Sequence, residues 1–312
     1  MKMPKLNKDI CFTIAKYLIK PEYKLVDWIN DDISKLNYDY LSSNPNAISF
    51  LNKNPDKIDW KRLSSNPNAI ELLKENQDKI DWIKLSLNPN AIEILRENLD
   101  KIDWFNFSLN PNGIEILREN PDKIDWCKLS SNPNAIELLK ENPDKINWIN
   151  LSLNPNGIEL LRENQDKIVW YLLSSNINAI ELLRENLDKI DWGCLSFNIN
   201  AIDLLKENQD KISWIGLSCN INGLSILKEN QDKIDWYFLS GNLNAIELLM
   251  ENPEKIDWTV LSKHNQNAEL ILKKYPEKIN WNVLSFNQLI FEEYINEEYL
   301  NIIQNNLEII FI

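Results

Sequence analysis

Apolar positions recur along this chain in short, regular stripes. In Asp56-Lys57-Ile58-Asp59-Trp60-Lys61-Arg62-Leu63-Ser64, the residues Ile58, Trp60 and Leu63 fall on one side of a short helix. Asp56 is the expected cap there, with Asp59 in the capping-box position. In Asn66-Pro67-Asn68-Ala69-Ile70-Glu71-Leu72-Leu73-Lys74-Glu75-Asn76, the residues Ala69, Ile70, Leu72 and Leu73 form a second stripe at helical spacing. Asn66 suits its N-cap, Pro67 its first position, and Asn76 a left-handed C-cap. Each helix spans two to three turns. Isolated helices below about 12–15 residues are marginal in water, so both need neighbours.

The pair repeats. Trp60, Trp82, Trp104, Trp126, Trp148, Trp170, Trp192, Trp214, Trp236 and Trp258 stand 22 residues apart, and Trp281 follows after 23. One residue is therefore inserted, near His264 and Asn265. Tyr38 takes the Trp place 22 residues before Trp60, which makes twelve registers. The Leu three after each Trp fails only at Phe107, and the Ser four after holds from Ser42 to Ser285. Identical short units that cannot stand alone predict an all-α solenoid of about twelve helical pairs, drawn out into a rod roughly 100 Å long. A leucine-rich-repeat-like solenoid is the alternative, because 22 lies in that period range. Against it stand prolines from Pro45 to Pro155 beside the would-be ladder Asn, and the helix formers of Ala-Ile-Glu-Leu-Leu-Lys-Glu-Asn. The Trp row reads as a structural ladder made by stacking, with each indole N–H needing a partner. The Ser and Asn rows read as caps.

The unit Asn-Pro-Asn-Ala-Ile-Glu-Leu-Leu-Lys-Glu-Asn-Pro-Asp-Lys-Ile-Asp-Trp-x-x-Leu-Ser resembles the short Asn-Pro/Ile-Asp-Trp repeats of large DNA viruses of algae and amoebae. The resemblance covers roughly residues 34 to 290. It implies a viral repeat protein of host cytoplasm or virion, and it brings no catalytic residues with it.

The 312 residues carry 34 Lys and Arg against 47 Asp and Glu, a net charge of −13. That disfavours a broad nucleic-acid or anionic-membrane surface. No uncharged apolar run approaches the ~20 residues of a membrane span, and the first residues lack the apolar core of a signal peptide. Chemistry is sparse. His264 is the only histidine, and Cys11, Cys127, Cys194 and Cys219 show no metal-ligand spacing. No catalytic, cofactor or metal site is expected, and the chain reads as a non-enzymatic scaffold for protein–protein interaction.

Function in such an array belongs to the positions that vary. These lie one, two and five residues after each Trp, and between the two Asn. Early units carry Lys61-Arg62, Ile83-Lys84 and Cys127-Lys128 there, whereas later ones turn apolar. Tyr171, Leu172, Phe197, Ile215, Tyr237 and Phe238 are therefore the candidate partner surface. The ends differ from the repeat. Residues 1–33 are expected to cap the array with a helix over 5–19, which resembles the first helix of an F-box. That resemblance implies the alternative role of a substrate adaptor recruiting a ubiquitin ligase. Residues 291–312 are expected to form a second capping helix. It would cover Trp281 and Leu284, or meet its copy in a homodimer.

Overall fold

The computed structural model describes residues 22–294 together with Leu300 and Ile302. The expected helix over 5–19 and nearly all of the C-terminal segment, with its proposed dimer contact, lie outside the described residues.

Within each unit a first helix (A) and a second helix (B) form as the apolar stripes require, but each starts three residues later than the caps suggested. Asp59, not Asp56, caps the A helix Trp60–Leu63, its Oδ1 accepting from the Arg62 amide at 3.0 Å. Asp56 belongs to a preceding 3-10 turn, Pro55–Lys57. Asn66 to Ala69 is a tight turn, closed by the Ala69 amide on the Asn66 carbonyl at 3.2 Å, with Pro67 at its second position. The B helix then runs Ile70–Glu75. Asn76 ends it without a left-handed backbone; its φ is −132°, and its Nδ2 donates to the Leu72 carbonyl at 3.0 Å.

Two buried polar side chains join each unit to the one before. The Asn66 Oδ1 accepts from the Asn68 amide at 3.0 Å, while its Nδ2 donates to the carbonyls of Ser42 at 3.1 Å and Asn44 at 3.0 Å. The Ser64 hydroxyl donates to the Trp60 carbonyl at 2.7 Å and accepts the Asp81 amide of the next unit at 2.9 Å. Both rows cap as expected, the Asn Oδ1 closing the tight turn and Ser64 ending the A helix, and both are in addition rungs between units, fully buried at almost every step. Around them Leu63, Ala69 and Leu73 and their equivalents form one continuous core. Phe107, the one large residue in the Leu row, faces Gly113 in the Ala row, where an added Cβ would stand 2.8 Å from its ring. The 23-residue step is absorbed by an A helix one residue longer, Trp258–His264, and Asn265 keeps both of its carbonyls, at 3.3 and 2.9 Å.

The array does not end as a rod. Asn44, in the first unit, donates to the carbonyls of Ser285 at 3.2 Å and Asn287 at 3.1 Å, in the last. The Asn37 amide donates to the Ser285 hydroxyl at 2.8 Å. These are the same bonds that every other neighbour pair makes, so the solenoid closes on itself. Tyr40 packs against Phe286 with ring centroids 4.4 Å apart and planes tilted by 31°, and Lys35 stands 5.1 Å over the Trp281 ring. Where a twelfth B helix would stand, the chain forms β2 (Phe291–Tyr294), antiparallel to β1 (Glu22–Leu25), with Lys24 opposite Glu292. Residues 291–294 are thus a strand rather than the start of a capping helix.

Twelve equal steps around a circle make each turn about 30°. Neighbouring A helices lie close against one another, whereas neighbouring B helices do not. The A row is therefore the inner wall and the B row the outer one. With helix axes about 8–10 Å apart, the A axes lie on a circle roughly 35 Å across. Side chains reaching about 5–6 Å from each axis leave an opening of roughly 20–25 Å.

Closure makes a sharp prediction. In a background with the native cysteines replaced by Ser, Lys24→Cys with Glu292→Cys forms a disulfide under mild oxidation, because directly paired strand residues lie within disulfide reach. The oxidised chain should run faster on a non-reducing gel and melt higher; an open rod would give no intramolecular product. A second contrast tests the rungs. Asn154→Ala orphans the buried carbonyl of Ser130, takes from that of Asn132 one of its two donors, and leaves the Asn156 amide without its side-chain acceptor; it should cost about 2–4 kcal/mol. Asn156→Ala removes only an exposed bond to Pro133 and should cost below about 1 kcal/mol. Urea denaturation of the two variants separates them.

Candidate functional site

The inner wall is built from three positions on each A helix, those one, two and five after the Trp place. They share one face because the A helix turns its Leu and Ser inward to the core. Contacts between successive units confirm the grouping. The Lys128 ammonium stands 4.6 Å over the Phe105 ring, the Asn150 Nδ2 donates to the Cys127 carbonyl at 2.9 Å, and the Arg62 guanidinium lies 4.9 Å over Tyr40.

All six residues expected to form the partner surface lie on this wall. Tyr171 is 53% exposed and Tyr237 55%; Phe197 and Ile215 are also exposed, while Leu172 and Phe238 are half-buried. Their restriction to the later units is not what the structure shows. Ile83, Leu87, Phe105, Ile149 and Leu153 are exposed on the same wall, so the apolar lining begins in the third unit. These were passed over because Lys84, Asn106 and Asn150 alternate with them in sequence; only the geometry shows that the polar residues are the neighbours of an apolar row.

Around the seam the wall is also basic, and in the third unit the two characters meet, with Lys84 beside Ile83. Lys61 and Arg62 in the second unit, Lys84 in the third and Lys263 in the eleventh flank the seam. Between Tyr237, Phe238 and Val260 a shallow cavity of about 270 Å³ opens, with Cys219, Gly241 and His264 at its edge. Burial and the charge of Lys263 lower the His264 pKa below the usual imidazole value. No carboxylate lines that cavity, and the one thiol there, Cys219, has its pKa pushed up by burial. Among the described residues no cluster of His, Cys, Asp or Glu could hold a metal ion, and no helix is long and apolar enough to cross a membrane.

The Trp ladder lies elsewhere. Each Trp is half-buried against the core, and in seven steps a Lys of the next unit stands 4.4–4.6 Å over its ring, as Lys79 does over Trp60 and Lys211 over Trp192. Such contacts contribute roughly 0.5–1 kcal/mol each at exposed sites. The ring face that could receive a ligand's cation is in these seven steps already occupied by a Lys from within the array. On the outer wall, Arg96–Glu119, Arg118–Glu141 and Arg162–Glu185 bridge successive B helices at 2.6–3.0 Å. They are exposed and individually weak.

The chain matches no family model, no curated protein and no solved structure.

Cysteine reactivity maps the inner wall. Cys127 is exposed. Burial pushes the Cys194 and Cys219 thiols up, helped by the charges of Asp191 and Asp235 respectively. A raised thiol pKa leaves less thiolate at neutral pH. Iodoacetamide at pH 7.5, followed by mass spectrometry, should therefore label Cys127 several-fold faster than either of the other two, with the gap narrowing as the pH is raised.

Proposed function

We propose that this protein is a non-enzymatic scaffold that holds a polypeptide partner against the inner wall of its ring. The observation that carries this reading is the exposed apolar row from Ile83 to Tyr237. Contiguous exposed apolar surface is costly in water, and where it persists it marks an interaction site. The row has no packing duty, because the core behind it is complete without it. Its aromatic members suit a binding role, since Tyr and Phe bury large areas for few rotatable bonds. The rest of the molecule is a frame whose buried Asn and Ser rows are bonded between units and whose outer wall carries Arg–Glu pairs between successive B helices.

A photo-crosslinking phenylalanine analogue at Ile149, and separately at Glu181 on the outer wall, tests this in the cell that makes the protein. A discrete polypeptide adduct is expected from position 149 and not from 181. Tyr171→Asp combined with Tyr237→Asp should abolish the adduct while changing stability by less than about 1 kcal/mol, because both side chains are exposed. Equal crosslinking from both walls would remove the inner wall as the binding surface.

A further inference from the structure

The inner wall carries a charge opposite to that of the chain as a whole. Across its three positions in all twelve units it holds five cations, Lys61, Arg62, Lys84, Lys128 and Lys263, and one acidic residue, Asp39. The chain's net charge is −13. Nearly all the excess acid therefore lies on the outer wall and the edges. Four of the five cations cluster near the seam, in units two, three and eleven, and the seam itself adds Tyr40 and Phe286 under Arg62. The aromatic and aliphatic side chains of units six to ten face them across the opening. The lumen has a basic arc and an apolar arc.

We infer that the occupant of the lumen is an acidic amphipathic helix of a partner protein, its apolar face on the arc from Ile149 to Tyr237 and its carboxylates toward the arc from Lys263 to Lys84. This rests on the reading of the inner wall as a polypeptide-binding surface and adds the chemistry of what binds. An α-helix with its side chains is about 10–12 Å across, so one helix enters an opening of roughly 20–25 Å and, seated on the apolar arc, faces the basic arc across about 10 Å, near one Debye length at moderate salt. Arg62 is already paired with Asp59 at 3.3 Å, but Lys61, Lys84 and Lys263 have no such partner among the described residues, and a uniformly apolar segment would gain nothing from them. A basic segment would be repelled by the basic arc. Nucleic acid is disfavoured by the small number of cations and by an apolar arc that offers phosphates nothing. At the N-terminal ends of the A helices the capping Asp side chains are bonded to helix amides, and the Lys residues over the Trp rings stand beside them, so that edge presents both signs.

The test selects from a display library of 20-residue amphipathic helices whose polar face is randomised among Glu, Lys and Gln, with the full chain immobilised. Enriched helices should carry a strongly negative polar face. They should bind at least tenfold more tightly than versions with every Glu changed to Lys, and weaken as salt rises. Lys61→Glu with Lys84→Glu, both exposed side chains, should erase or reverse the bias without changing the melting temperature appreciably. Enrichment that depends on Tyr171 and Tyr237 but shows no acidic bias would overturn this inference and leave the scaffold reading intact. Enrichment indifferent to Tyr171→Asp with Tyr237→Asp would overturn both. A 20-nucleotide oligo-thymidine binding as tightly as the best helix would overturn the inference in favour of nucleic acid.

Discussion

Everything in this fold depends on a buried asparagine amide and a backbone N–H, such as that of Asp81, that find their acceptors only in the preceding unit. A buried amide or hydroxyl without a partner costs several times what a formed hydrogen bond contributes. Asn66 uses the carbonyls of Ser42 and Asn44, and the Asp81 amide uses the Ser64 hydroxyl. Each unit thus completes its neighbour, and an open array would leave an incomplete unit at each end. Solenoids ordinarily solve this with atypical polar caps. Here Asn44 finds its carbonyls on Ser285 and Asn287, and Ser285 receives the Asn37 amide. The ends are abolished in the way a barrel abolishes sheet edges. The strand pair of Glu22–Leu25 with Phe291–Tyr294 then fills the one place where the chain has no B helix to supply.

Curvature links this frame to function. The A helices lie close together, tied by the short Ser64 and Asn66 side chains and their equivalents. The B helices are held further apart and meet through long Arg–Glu pairs. The difference bends the array evenly. It also puts the variable positions of every A helix on a common inner wall, though they are scattered at 22-residue intervals along the chain. Residues from units that are remote in sequence, such as Lys84 and Tyr237, come to face one another across one opening.

Much of the architecture was legible in the sequence. The Trp, Leu and Ser periods gave the unit, its two helices and its stacking, because burial on one side of a helix leaves a mark at every turn. The caps were misjudged by three residues, since Asp56 and Asp59 are equally good caps on paper and only the 3-10 turn at Pro55 decides between them. Closure left no such mark. It depends on a few degrees of rotation per unit, set by the difference between two packing distances, and no single residue encodes that. Phe291–Tyr294 was read as helix because its strand partner lies some 270 residues away. The candidate site was half legible. Tyr171, Phe197 and Tyr237 stood out as apolar intrusions at variable positions, whereas Ile83, Phe105 and Ile149 were hidden by their polar neighbours in sequence. The basic arc was noticed as early polarity but could not be placed opposite anything without the ring.

A closed circle also fixes how many units the gene can hold. An open array can gain or lose a repeat by unequal recombination and remain much the same protein. Removing one unit from this ring would demand that the remaining eleven each turn about 2.7° further, the difference between 360°/11 and 360°/12. Every rung would be strained at once, or the seam would stay open and leave Asn44 and Ser285 bare. The one length change the chain does carry, the extra residue at the end of the helix Trp258–His264, is confined to the inner wall and leaves the rung at Asn265 in place. Drift in this protein is therefore channelled into side chains and single-residue insertions, and the repeat number, normally the most mutable property of a tandem array, becomes its most constrained.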